Sequence, residues 1–299
     1  MRRERVLLSL AGALLLGLGG CQGEPSSAAG EPPLGPVPTI GDAREITLPL
    51  DAYLAVTLKW HVPDLAINRL GRDCMRRLGL DWPVIGLVPP DSTAPRYGRR
   101  YGIFDADRAA RHGYKPLPPA NSASAGGEEG PRQEREPTEV ETAVWTGRGE
   151  SKVNGLPVPE GGCGAEALRA LAGGIEQPPE TRVELLADEA HQRAEQHSRM
   201  IATFERWSRC MSQRGFDYRK PSAANDDPRW NTEHATPAEI ETAKADVACK
   251  LETNLVGVWY AAEVAYQTRA IEKNAARLQA VKDYHDAVQR NAAKVVTAG

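Results

Sequence analysis

The sequence has no strong excess of either charge. Its 37 Lys and Arg stand against 40 Asp and Glu, a net charge of −3. A balance this close to neutral gives no footprint for nucleic acid or another polyanion. Aromatic residues are scarce, at 6%, with three Phe in 299 residues, so a core built here leans on Ala and Leu. No His-Glu-x-x-His and no glycine loop ending in Lys-Ser or Lys-Thr occurs, which leaves out the usual zinc protease and nucleotide-binding signatures. The nearest approach to a nucleophile elbow is Gly149-Glu150-Ser151-Lys152-Val153, which lacks its last glycine. Cysteine is sparse too, and Cys74, Cys163, Cys210 and Cys249 lie far apart without Cys-x₂-Cys pairing. That spacing speaks against a zinc site. No metal and no cofactor is expected. The most apolar internal run, Leu255 to Tyr266, carries Glu263 and is far too short to span a bilayer.

What is present is helix. From Thr236 to Val296 one glycine, Gly257, interrupts an otherwise unbroken helical pattern. Thr236-Pro237-Ala238-Glu239 supplies an N-cap, a first-turn proline and a glutamate placed to close a capping box. Apolar residues then recur at threes and fours, in the heptad-like rhythm of a long seam or coiled coil. Unbroken, such a helix is roughly 90 Å long. A second helix is expected from Thr181 to Arg214, ended by Gly215, with Val183, Leu186, Ala190, His197, Ile201, Phe204, Trp207 and Met211 along one stripe. The two stripes predict a long antiparallel helical hairpin over 180–299. The many carboxylates on these helices, at helical spacing from Lys and Arg, read as a solvated face. His197 and His285 fall on the seams and are the residues from which a pH effect is expected.

The first half is less regular. Met1-Arg2-Arg3-Glu4-Arg5, the apolar run Val6–Leu18, and Leu18-Gly19-Gly20-Cys21 resemble the signal and lipobox of bacterial lipoproteins. The resemblance implies cleavage after residue 20 and a diacylglyceryl thioether on Cys21. Residues 21–45, rich in Gly, Pro, Ser and Ala up to Thr39, then read as a tether. Residues 46–179 read as an N-terminal helical module. It has a short extended start at Ile46–Leu50, a helix capped by Asp51, a break at Pro63, and a second helix from Asp64 to Gly79. Asp105 to His112 follows, then a low-complexity insert over about 116–138 expected to be disordered, with order resuming near Val144-Trp145. A small hairpin around Asn154-Gly155 and a helix over Ala165–Leu171 complete the module.

Cys74-Met75-x₃-Gly79-Leu80-Asp81-Trp82 matches Cys210-Met211-x₃-Gly215-Phe216-Asp217-Tyr218, and both stretches end a helix. Glycine suits that end because it supplies a left-handed cap. Four cysteines in an exported chain predict two disulfides. Three pairings are open; the repeat favours Cys74–Cys163 and Cys210–Cys249, each within one module. Two groups suggest binding. Arg69, Arg72, Arg76 and Arg77 cluster on one helix and suit lipid headgroups or anionic wall polymers, against the plainer reading of a solvated basic face. Trp259, Tyr260 and Tyr266 suit the wall of a cleft, against the plainer reading of core.

The lipobox, the paired Cys-Met-x₃-Gly motifs, Arg100-Tyr101-Gly102 with Gly113-Tyr114, and Gly161-Gly162-Cys163 together resemble a family of uncharacterised secreted lipoproteins of actinomycetes. The resemblance implies location and disulfides, and carries no activity. The expectation is a mostly α, disulfide-stapled bundle with minor β structure. It is anchored to the outer face of the cell membrane through Cys21, is non-catalytic, and binds a protein partner or wall component. An accessory or solute-binding lipoprotein of a transporter is the first alternative and a secreted hydrolase the second.

Overall fold

The structure is a computed structural model, and it describes residues 30–54, 57–83, 95–117, 135–179 and 182–298. Two units divide after Glu31: Met1–Glu31, of which only Gly30 and Glu31 are described, and the body Pro32–Gly299. The signal segment and Cys21 lie outside the described residues, as does the insert over 118–134. Among the described residues the body is mostly helical, as expected, with ten α-helices and one two-stranded sheet. No helix among them is long and apolar enough to cross a membrane.

α1 (Thr57–Arg77) runs through Pro63 without stopping, so the predicted break there is absent. The ring removes one backbone donor, and packing on neighbours keeps the helix whole. α2 (Ala106–His112) is capped by Asp105, as its sequence predicts. α3 (Glu139–Thr146) was not foreseen as a helix, although Thr138 and Glu141 form a full capping box at its start. β1 (Lys152–Val153) and β2 (Leu156–Pro157) pair antiparallel about Asn154-Gly155, both at positive φ. α4 is Gly162–Ala172 and α7 is Pro221–Asn225.

The expected Thr181–Arg214 helix is two: α5 (Val183–Glu195) and α6 (Ser198–Gln213). His197 divides them. Its backbone is extended, and its buried ring caps α6 by accepting from the Arg199 N–H at 3.2 Å. The last helix is three: α8 (Pro237–Glu252), α9 (Leu255–Lys273) and α10 (Ala275–Thr297). Asn254 adopts the left-handed conformation, φ 49°, which Asn tolerates better than most residues. At the second break the Asn274 side chain takes the Ala270 carbonyl at 2.8 Å.

The first break reverses the chain. Trp207 meets Asp246, Cys210 meets Cys249 and Arg214 meets Glu252, so α6 and α8 run in step. Phe204 meets Trp259 and His191 meets Glu263, so α5 and α6 run antiparallel to α9, which gives the expected hairpin. α10 continues away to lie along α1 and α4. The two halves therefore form one body, and residue 180 is not a boundary between modules.

Both expected disulfides are present, with Cα–Cα distances of 5.6 Å for Cys74–Cys163 and 5.7 Å for Cys210–Cys249. The Cys-Met-x₃-Gly repeat is a repeat of structure. At one site Leu80 N–H donates to Met75 O at 3.0 Å; at the other Phe216 N–H donates to Met211 O at 2.9 Å. Gly79 and Gly215, at φ 74° and 89°, supply the left-handed residue each cap needs.

The tether is shorter than its composition suggests. Pro32 and Ile40 are buried, and Leu34 and Val37 pack against the main core. The Pro38 carbonyl accepts from Asn254 Nδ2 at 3.0 Å and lies against Gly257, where a Cβ would stand 1.9 Å from it. This crossing explains the single glycine in the C-terminal pattern. At Gly162 the reason is similar, since a Cβ there would meet the Gly147, Trp145 and Val144 backbone within 2.5 Å.

Candidate binding cleft

The carboxylates read as a solvated face include three that are fully buried: Glu239, Asp246 and Glu263. Each is held by the segment between Tyr97 and Lys115. Glu239 does not close its capping box. It turns inward, accepting from the Tyr114 N–H at 3.0 Å, with the Lys115 ammonium 3.4 Å from its other oxygen. Asp246 accepts from Lys250 at 2.9 Å, Trp207 Nε1 at 3.0 Å and the Tyr114 hydroxyl at 3.3 Å. Burial pushes the Asp246 carboxyl above the ordinary carboxylate range, against the pull of Lys250 and its other donors. Lys250 in turn donates to the Ile103 carbonyl at 2.8 Å.

Glu263 is the hub nearest the surface. It accepts from Arg100 Nε at 2.8 and 3.0 Å, Arg100 Nη2 at 2.5 Å, the Tyr101 hydroxyl at 2.9 Å, Gln267 Nε2 at 2.9 Å and His191 Nδ1 at 2.9 Å. Burial pushes its carboxyl up, but the hydrogen bonds from His191 and Arg100 outweigh it and hold the group below its ordinary value. The same carboxylate and the burial of the ring drive the Tyr101 hydroxyl far upward, so it serves as a donor only.

Above this hub opens a cleft of about 220 Å³, walled by the Arg99–Gly102 turn, α5, α7 and Trp259. A carboxylate only accepts, so His191 gives Nδ1–H to Glu263 and leaves Nε2 as its free ring nitrogen. The imidazole is stacked on Trp259, with centroids 5.1 Å apart and planes 14° apart. Trp259 is 6% exposed, and its indole N–H is buried with no hydrogen-bond partner. A buried donor left unmet costs about 1–3 kcal/mol. A larger cavity of about 360 Å³ lies beside α4 and Tyr284, but its lining is mostly apolar and gathers no such polar set.

The expected binding residues fare unevenly. Trp259 is at once core and cleft wall. Tyr260 turns away, donating to the Thr47 carbonyl at 3.1 Å, and Tyr266 meets the edge of His197. The arginine cluster is divided. Arg69 takes the Val295 carbonyl at 3.1 Å, Arg76 pairs with Asp73 and Arg77 with Glu166. Of the four, only Arg72 makes no such pairing, and the Arg76 and Arg77 side chains stay more than half exposed. His285 is half-buried, and desolvation lowers its pKa below the ordinary value. Sequence reasoning missed His191, Glu263 and Arg100 as partners. Among the described residues no three His, Cys, Asp or Glu side chains gather as a metal site.

His191 with Glu263 is the base-and-orienter half of a hydrolytic constellation, and Ser222 lines the same cleft. Ser222 makes no hydrogen bond to His191 among the described residues. Against family models, curated proteins and solved structures, the chain shows no match.

Proposed function

We propose that this is a lipid-anchored protein of the extracytoplasmic face of the cell membrane, of the lipoprotein kind its sequence resembles. It binds a group carried by a protein partner or wall component in the Arg99–His191–Trp259 cleft and performs no chemistry on it. The observation that carries the binding role is an imidazole oriented by Glu263 and stacked on Trp259 in a cleft that Arg99 also lines. The anchor rests on the sequence around Cys21, and the two disulfides suit an oxidising compartment. The small volume of the cleft also suits a free solute, which favours the transporter-accessory role as second reading.

The test uses the full chain in its native membrane, with a photoreactive residue at exposed Ser222 on the cleft rim and a control at exposed Gln279 outside it. A cross-link to one wall peptide or protein from position 222 and not from 279 is expected. Identical cross-linking from both positions overturns the cleft as the binding site. Release of the protein to the soluble fraction by Cys21→Ala is expected alongside. Detergent dependence that persists in this variant sinks the anchor.

A further inference from the structure

We propose that the cleft takes an α-amino-carboxylate, the zwitterionic head of an amino acid; this deepens, and rests on, the binding role given above. The cleft holds charges of both signs that do not meet. Arg99 on one wall donates to the carbonyls of Tyr114 at 3.1 Å and Lys115 at 3.5 Å and to Asn225 Oδ1 at 3.2 Å, all uncharged acceptors. Among the described residues no carboxylate lies within ion-pairing distance of its guanidinium. Glu195, one turn beyond His191 on α5 and partly buried, makes no hydrogen bond or ion pair. Asp226 accepts from the amide nitrogen of Asn225, whose carbonyl oxygen accepts from Arg99. A cation and carboxylates that line one small space without pairing directly are complementary to a ligand that carries both signs itself.

The remaining groups fit the same ligand. A ligand carboxylate suits Arg99, whose present acceptors are all uncharged. The three donors of an ammonium match Glu195, Asp226 and the free Nε2 of His191. A volume of about 220 Å³ holds the head of an amino acid with a short side chain and leaves a longer chain to project through the open mouth. Two sources share this chemistry: a free amino acid, and the amino-carboxylate end of a diamino acid in a wall peptide.

The experiment titrates the purified full chain in detergent with L-alanine, D-alanine and meso-diaminopimelate, and with acetate and ethylamine as half-ligands. Heat of binding and the NMR signal of the Trp259 indole N–H are read together. The amino acids are expected to bind and to move the indole signal. Each half-ligand should bind about tenfold or more weaker, because each loses a charge-assisted contact set. Glu195→Gln should weaken alanine by a similar factor with no change in melting temperature, since Glu195 holds no partner in the fold. Acetate binding as tightly as alanine, or an unaffected Glu195→Gln, overturns the zwitterion while leaving the cleft as a binding site. No response to any probe, with the Ser222 cross-link intact, overturns only the ligand class; loss of both overturns the binding role itself. Sedimentation with isolated wall sacculi, displaced by meso-diaminopimelate, identifies the wall as source. Binding of free alanine without sedimentation identifies a solute.

Discussion

Replacing Glu263 with Gln removes the negative charge that orients His191 and keeps the side chain's shape. In the folded protein this carboxylate is wholly buried and Arg100 is 18% exposed on the side-chain scale, so little water can replace the lost partner. Truncating one member of a buried ion pair costs about 3–5 kcal/mol, chiefly because the other charge is left uncompensated. The Gln side chain still offers one acceptor oxygen to Arg100, which places the expected loss near the lower bound, about 3 kcal/mol. For a body of this size that lowers Tm by roughly 6–12 °C. The assay is urea unfolding followed by circular dichroism, for the wild type, Glu263→Gln, Arg100→Met and the double variant. Because the two side chains share three hydrogen bonds, the double variant should be more stable than the sum of the singles predicts, by about 1–3 kcal/mol. Additivity within about 0.5 kcal/mol would refute the pairing as the source of the effect. A single-variant loss below about 1 kcal/mol would refute the burial.

Joint replacement of Cys210 and Cys249 by Ser releases a loop with a sequence separation of 39 and should cost about 4 kcal/mol in the same assay. An unchanged urea midpoint would show that this bond does not constrain the unfolded chain. Gly257→Ala should destabilise the protein by roughly 1–3 kcal/mol, since its methyl group must displace the Pro38 carbonyl; a neutral substitution would mean the 32–40 segment does not cross there. Stability should fall with pH in two windows. Glu141 is held at about 2, below its ordinary 4.5, mainly by the Arg135 hydrogen bond, so what it contributes is complete above about pH 4.5 and lost as pH falls towards 2. His285 is lowered below 6.5 by burial, so its contribution is present above that pH and lost as pH falls through its folded value. Glu141→Gln and His285→Gln should each flatten only its own window, and a flattened profile in the wrong window would contradict the assignment.

How far the structure could be read in advance depends on the range of the interactions. Local signals were sufficient for the helix ends at Gly79 and Gly215, the Asp105 cap, the Asn154-Gly155 hairpin and, through the repeat, both disulfides. The Thr138–Glu141 capping box was equally local and was passed over because the low-complexity composition before it dominated. The helix breaks at His197, Asn254 and Asn274 interrupt no apolar periodicity, so a pattern of threes and fours runs straight across them. Each break is made by a polar side chain that caps or takes the left-handed conformation. Such a residue looks ordinary inside a helical pattern until its backbone is known.

The buried acids and the cleft were illegible for a different reason. Glu263 is a carboxylate at helical spacing from other charges, and only Arg100 and Tyr101, more than 160 positions earlier in the chain, take it out of water. Reversal at Asn254 is what brings them together: an unbroken helix would carry Glu263 away from α6, whereas the turn folds α9 back over α5 so that His191 and Trp259 stack. The Arg100-Tyr101-Gly102 and Gly113-Tyr114 stretches sit on this same network. Arg100-Tyr101 holds Glu263, and a Cβ on Gly102 would stand 2.8 Å from the Lys250 ammonium. Gly113 lies against Glu239, and Tyr114 bonds both Glu239 and Asp246. Glycines that admit charged groups, and a loop that brings cations to two buried acids and a hydroxyl to a third, are costly to build for stability alone, since apolar packing does as well or better. Under the binding role proposed above, a preorganised floor that fixes the tautomer of His191 gives that cost a use.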